Sequence, residues 1–175
     1  MARGTSDQDE RYLAAAAEYG GALERLARAY EADPDRRRDL TQDIHVAVWR
    51  SFATFDGRCS VRTWVYRVAH NAATSHVLTA RRLKLHQLAS LDEIAAAPDA
   101  DDPEATAGGR QVLERLMALI HQLKPADRQI MLLYLEDLDA AAIAEIAGVS
   151  PGAAAVKIHR IKAVLARRFQ EGAAS

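Results

Sequence analysis

Between Asp139 and Phe169 the sequence sets a short helical segment, a glycine turn and a longer basic helical segment in immediate succession, an order that leaves few folds open. Asp139 stands where a helix N-cap accepts free backbone N–H groups, and Ile143 and Ile146 mark an apolar stripe behind it. Ala147-Gly148-Val149 is the turn, and Gly148 can take the positive φ that a sharp reversal requires. Ser150 then caps a second helix that begins at Pro151, where a missing N–H costs nothing. In that helix Ala154, Ile158, Ile161, Leu165 and Phe169 recur at helical spacing and predict a buried face. Lys157, Arg160, Lys162, Arg167 and Arg168 cover the remainder with no acidic residue among them. A basic helix behind a capped glycine turn suits the major groove of DNA; a helical hairpin with a solvated basic face is the plainer alternative.

The net charge of −1 over 175 residues argues against a polyanionic partner only until its distribution is followed. Residues 57–91 contain no carboxylate, whereas Arg58, Arg62, Arg67, Arg81, Arg82 and Lys84 are basic and three histidines lie among them. A second acid-free basic tract runs from Lys157 to Gln170, and residues 92–104 between the two hold six carboxylates and no base. Two basic surfaces on an acidic thread suggest a polyanion held at two places. No run of eighteen apolar residues occurs and residues 1–10 are polar, so neither a membrane span nor a signal peptide is expected, and the chain is expected in the cytoplasm. Cys59 is alone, which excludes an internal disulfide and a thiolate metal site.

Alanine, leucine and arginine dominate, strand-like alternation is absent and the breakers fall between periodic segments, so the expected fold class is all-α. Two small helical domains are expected, over 9–89 and 110–171, joined by a flexible acidic linker at 90–109 that is rich in Ala, Asp, Pro and Gly. The first would hold helices over about 9–32, 36–52 and 61–82, with a turn at Asp33-Pro34-Asp35 and a loop at 55–60. The second would hold helices over 110–123 and 127–135, split at Lys124-Pro125, and then the helix-turn-helix.

Two faces of the first domain carry chemistry. On the third helix Val61, Trp64, Val65, Val68 and Ala72 form a packing stripe, while Arg58, Arg62, Tyr66, Arg67, Asn71 and Ser75 form another face. Arginine and tyrosine beside asparagine can hold phosphates, stack on unpaired bases and hydrogen-bond a base edge; a solvated arginine face with Tyr66 half buried fits the same pattern. On the second helix Ile44, Val48 and Phe52 point to a core, and Asp39, Gln42, Asp43 and Val46 form an exposed acidic and polar face with one apolar member. That face suits a basic protein helix, or is simply solvated.

Together these segments resemble a bacterial RNA polymerase sigma factor of the extracytoplasmic-function class, which keeps two domains, sigma regions two and four. The resemblance covers nearly the whole chain. Asp39-Leu40-Thr41-Gln42-Asp43 followed by Trp49 resembles the helix that docks on the β′ clamp helices of the polymerase. Ser60-Val61-Arg62-Thr63-Trp64-Val65-Tyr66-Arg67-Val68-Ala69-His70-Asn71 is similar to the helix that captures the melted minus-ten element. Leu123-Lys124-Pro125-Ala126-Asp127-Arg128-Gln129 and Ala142-Ile143-Ala144-Glu145-Ile146-Ala147-Gly148-Val149-Ser150 resemble the domain that reads the minus-thirty-five element.

The resemblance implies roles residue by residue. Asp39, Gln42, Asp43 and Val46 would bind core polymerase. Phe55, Arg58, Ser60, Arg62, Tyr66, Arg67 and Asn71 would bind the minus-ten strand, the loop from Phe55 to Ser60 enclosing a flipped base. Ser150, Gly152, Ala155, Val156, Lys157 and Arg160 would bind the minus-thirty-five duplex. It implies as partners promoter DNA, core RNA polymerase through its β′ clamp helices and β flap, and an anti-sigma factor, with no cofactor, no metal and no catalytic residue. The sigma factor would select and stabilise the open promoter, and the polymerase would perform nucleotidyl transfer.

Two departures stand out. Arg36-Arg37-Arg38 replaces the acidic pattern usual upstream of Asp39, and Gly152-Ala153-Ala154-Ala155-Val156 opens the recognition helix where relatives often carry polar readers. Alanine and valine touch thymine methyls but make no bidentate hydrogen bond, so phosphate contacts and DNA shape are expected to carry more of the recognition. A helix-turn-helix repressor with an effector domain explains the C-terminal half and leaves the string 60–71 without a role. A hydrolase or metalloenzyme finds no His-Glu-x-x-His motif and no phosphate-binding glycine loop, and His70 and His159 read as surface or DNA-proximal residues.

Overall fold

A computed structural model of the protein describes residues 2–84 and 108–171, with side-chain surroundings for residues 7–80 and 111–171. The expected acidic linker, except for its last two residues, lies outside them. The described residues form seven helices: α1 (Ala2–Tyr30), α2 (Pro34–Ser51), α3 (Val61–Lys84), α4 (Gly108–Gln122), α5 (Pro125–Leu135), α6 (Ala140–Ala147) and α7 (Pro151–Glu171).

Local chemistry sets most boundaries. The Asp33 carboxylate accepts from the N–H groups of Asp35 and Arg36 at 3.0 Å, and Pro34 takes the first position of α2, so the expected Asp-Pro-Asp turn is a helix cap. Ser60 caps α3, its Oγ accepting from the N–H of Thr63 at 3.0 Å. Pro125 likewise starts α5, two residues before the expected start at Asp127. That helix ends where Asp137 takes a φ of 57°, a conformation that aspartate tolerates better than most residues.

Helices α1 to α3 surround one core, in which Leu23, Leu26, Ala27 and Tyr30 meet Leu40, Ile44, Val48 and Phe52 and then Val65, Ala69 and Ala73. Helices α4 to α7 surround a second, built on Leu123, Ile130, Leu133, Ile143, Ile146, Ala154, Ile158, Ile161 and Leu165. Each such aliphatic side chain, once removed from water, contributes about 1.5–3 kcal/mol. The halves also share side chains: Ile120 and Leu132 complete the N-terminal core, and Ala22 and Tyr66 belong to the C-terminal one. Arg128 of α5 is buried, donates to the backbone carbonyls of His121 and Leu123, and lies 5.2 Å from the ring centroid of Tyr30 on α1. Burial lowers its pKa by opposing the charge, and the carbonyls of His121 in the last turn of α4 and of Leu123 just beyond it, with the π face of Tyr30, compensate.

That shared packing explains where the helical periodicity misleads. The buried stripe of α3 runs through Val65, Ala69 and Ala73, while Val61, the first residue of the helix, is exposed. Because α3 is covered on a second side by the C-terminal helices, Tyr66 is buried rather than half buried. His70 is buried rather than at the surface: its Nδ1 and the Tyr30 hydroxyl are hydrogen-bonded at 3.1 Å, and burial pushes its pKa down to about 3, so the ring is neutral. Arg168, expected among solvated basic residues, is buried as well, with its head 3.6 Å from Glu171.

Candidate nucleic-acid interface

Asp139 accepts from the N–H of Ala142 at 2.8 Å and so starts α6 where expected. Gly148 ends that helix at a φ of 69°, and α7 leaves at 103° to α6. This is the crossing of a helix-turn-helix. Ile143 and Ile146 pack under Ala154, Ile158 and Ile161, so the pair is fixed as one body. Ser150 caps α7, its Oγ accepting from Ala153 N at 3.2 Å. Gly152, Ala155, Val156 and Arg160 are exposed, with Val156 at 68%. Lys157 is half buried and pairs with Asp127 at 2.5 Å, so its ammonium is already engaged by a carboxylate. The outward face of α7 therefore offers small apolar groups in its first turns and cations beyond them.

In the loop before α3, Gly57 takes a φ of 76°, and the Asp56 carboxylate holds the backbone N–H of Arg58 at 3.1 Å and its guanidinium at 2.7 Å. Phe55 is packed 5.9 Å from the Phe52 ring and 5.3 Å from the Trp64 ring, and Trp64 donates to Ser51 Oγ at 2.8 Å. Phe55 thus anchors the loop, while Arg58 and Ser60 are exposed. Along α3, Arg62, Tyr66 and Arg67 lie together, the Arg62 guanidinium 5.8 Å from the Tyr66 ring centroid, and Asn71 is exposed one turn further on.

This α3 face meets α5 and α6. Arg62 donates to the carbonyl of Glu136 at 2.8 Å and Arg67 to the carbonyl of Glu145 at 2.8 Å. The Glu136 carboxylate takes a two-pronged contact from Arg25 of α1, at 2.7 Å for both Nε and Nη2, and lies 3.5 Å from the Tyr66 hydroxyl. Its hydrogen bond raises the pKa of Arg25; burial first, then the Glu136 charge, raises that of Tyr66. Arg25, Glu136, Asp127 and Glu145 were not singled out from the sequence. Arg25 and Glu136 are 111 positions apart, and no local pattern connects them.

On α2 the residues Asp39, Gln42, Asp43 and Val46 are all exposed on one face, while Leu40, Ile44 and Val48 are buried on the other. The neighbouring Arg36 lies 3.4 Å from Glu31 and 4.0 Å from Asp33, and Arg38 lies 3.5 Å from Asp35. Local carboxylates therefore offset part of the Arg36-Arg37-Arg38 run.

Residues 16–83 match the sequence family described as Sigma-70 region 2, and residues 113–165 match Sigma-70, region 4. The ECF RNA polymerase sigma factor SigF of Caulobacter vibrioides is 33% identical over 142 residues, covering 78% of this chain and 73% of SigF. This chain belongs to the extracytoplasmic-function class of RNA polymerase sigma factors. Sigma factors direct promoter-specific transcription, and the family is one of initiation factors. The chain spans 62% to 77% of the length of the curated relatives it matches. In fold this sigma factor is similar to CnrH in its complex with the cytosolic domain of CnrY (TM-score 0.65, 21% identity, 97% of this chain and 94% of that one). It is also similar to RpoE of Bartonella quintana in complex with the anti-sigma factor NepR (TM-score 0.64, 17% identity, 86% and 91%). The capped turn and the packed faces of α2 and α3 thus lie within the two matched regions of a sigma factor. Among the described residues no group of His, Cys, Asp and Glu could hold a metal ion, and no single helix is long and apolar enough to cross a membrane.

Proposed function

We propose that this sigma factor joins core RNA polymerase through the α2 face, captures the unpaired non-template strand of the minus-ten element with α3 and the loop before it, and lays α7 in the minus-thirty-five major groove. The reading divides the chain at 9–89, 90–109 and 110–171. The observation that carries it is α2, where Asp39, Gln42, Asp43 and Val46 are exposed together on a helix whose opposite face is locked into the core. A DNA-binding regulator has no use for such a face, whereas a subunit that must dock on a basic helix pair of the polymerase does. Promoter opening without ATP hydrolysis needs its unpaired bases trapped, and stacking on aromatic side chains contributes about 1–3 kcal/mol per base. Arg58, Arg62 and Arg67 supply the phosphate contacts, and Asn71 the edge contact. Ser60 acts by capping α3, and Phe55 by anchoring the loop. On α7, Ser150, Gly152, Ala155 and Val156 approach the groove and Lys157 and Arg160 the backbone.

The protein works in the cytoplasm, where the polymerase is, with β′ and the β flap as its contacts and no cofactor. An anti-sigma partner is supported by the likeness to RpoE, whose structure holds one. A groove of about 300 Å³ between α1, α3, α4 and α5, lined by Leu26, Leu113, Leu116, Met117, Leu132 and Leu135 with Arg25 and Arg28, suits the apolar face of its helix. Asp39→Arg combined with Asp43→Arg tests the core reading: both residues are exposed, so helicity should be unchanged while co-purification with core polymerase is lost. Retention of core binding by a folded double variant would refute the α2 assignment.

A further inference from the structure

The outward side of α7 is less basic than its sequence. Lys157 holds the Asp127 carboxylate at 2.5 Å, and Lys162 donates to the Tyr134 hydroxyl at 2.9 Å, its ammonium 4.8 Å from the ring centroid. Both partners belong to α5, so these two cations are tied back to the body that carries the helix. Further along, Arg167 lies 3.7 Å and Arg168 3.6 Å from Glu171. A phosphate approaching Lys157 or Lys162 competes with a partner already in place, which reduces the weight that phosphate contacts can carry in recognition.

The start of α7 offers apolar surface instead. Residues 151–156 read Pro-Gly-Ala-Ala-Ala-Val, with no polar atom in any side chain, and of the six only Ala154 is buried. Val156 is 68% exposed, more than any other large apolar side chain among the described residues. Gly152 lies four positions earlier, on the same face of the helix. Its φ is not positive and a Cβ there would meet nothing within 4 Å, so the fold leaves room for a side chain that the sequence omits. A valine has a short reach and touches a base only if the helix comes close to the groove floor, and a bare position one turn before it permits that approach.

In the major groove every base pair presents hydrogen-bonding atoms, and A·T alone adds an apolar group, the C5 methyl of thymine. We infer that Val156 is a specificity-determining residue, which selects an A·T pair in the minus-thirty-five element by packing its methyl groups on that of thymine. The inference deepens the assignment of α7 to this duplex and rests on it. Such a contact carries no charge. It adds preference for a base without adding to the salt dependence, whereas a lysine released to the backbone would do the reverse.

The test uses the full chain, in which Val156 is already exposed, and duplex DNA carrying a randomised stretch of about one helical turn. Sequencing the bound fraction gives the preferred duplex. Fluorescence anisotropy then measures affinity as each thymidine is replaced in turn by deoxyuridine, which pairs identically and lacks only the methyl group. The wild type should lose about fourfold at one thymidine, the effect of one methyl group left unburied. Val156→Ala puts a better helix former at an exposed position, so circular dichroism should show unchanged helicity. It should bind the thymidine duplex about fourfold more weakly at the same salt slope, and should no longer distinguish thymidine from deoxyuridine. Equal wild-type affinity for every thymidine and deoxyuridine duplex, or a distinction that persists in Val156→Ala, would overturn the methyl contact while sequence selection left the groove assignment standing. Enrichment of no sequence, with binding unaffected by Arg160→Ala, would overturn the groove assignment and the methyl contact with it.

Discussion

His70 offers the most quantitative consequence of the packing. Its ring is 1% exposed and neutral, with a pKa of about 3 against 6.5 for a free imidazole, and the cause is burial alone. Tyr30 faces it directly, Arg128 lies beyond Tyr30, and Arg25, Arg28 and Glu136 line the groove it borders. Between pH 6.5 and 3 the unfolded chain holds a proton at this position that the folded chain refuses. The unfolded state is then favoured increasingly as pH falls, and stability contributed by a neutral His70 is present above 6.5 and lost below it. The slope approaches about 1.4 kcal/mol per pH unit, so about 2 kcal/mol is lost by pH 5, a large share of a typical 5–15 kcal/mol. His70→Leu keeps an apolar group of similar size and removes the titration. Urea denaturation followed by circular dichroism at pH 7.5 and at pH 5 should show the variant losing about 2 kcal/mol less than the wild type between the two. Equal losses in both proteins, or an NMR titration of the His70 ring with a midpoint near 6.5, would refute the reasoning.

Two further outcomes follow from the helix-turn-helix. Asp139→Ala removes the side-chain cap of α6 and should cost about 1 kcal/mol in urea denaturation; a change near zero would show that the cap is replaced by solvent. Lys157→Ala should flatten the dependence of log affinity on log salt for minus-thirty-five duplex by well under one unit, because the ammonium already holds Asp127, whereas Asp127→Asn should steepen it by up to about one unit by releasing that ammonium to a phosphate. Fluorescence anisotropy across a salt series checks both slopes, and an unchanged slope in Asp127→Asn would mean that Lys157 stays away from the backbone.

How legible the molecule was in its sequence depended on the range of the interaction concerned. The cap at Asp139, the positive φ of Gly148 and the start of α7 at Pro151 are set within four residues and were readable, whereas Asp33 reads as part of a turn and is instead the cap of α2. The division of α2 into a core face and an exposed face followed from its period. What escaped is whatever the packing of one half on the other decides. Periodicity gives the phase of one stripe, but α3 is buried on two sides, so Tyr66 and His70 are buried where the count leaves them near solvent. Arg128 and Arg168 were unreadable as buried groups because arginine is buried only where specific acceptors, a π face or a carboxylate receive it, and those partners are tertiary. Arg25 and Glu136 pair across most of the chain, and neither occupies a position that marks it out.

Reconstituted initiation tests the central claim most directly. Core RNA polymerase, alone or with the purified chain, would transcribe fragmented genomic DNA of the source organism, and the 5′ ends of the products would be sequenced. The account predicts a set of start sites that appears only with the chain, each preceded by the same two motifs at constant spacing, and lost with the Asp39→Arg and Asp43→Arg variant. Start sites identical to those of core polymerase alone, with the chain folded and in excess, would contradict it.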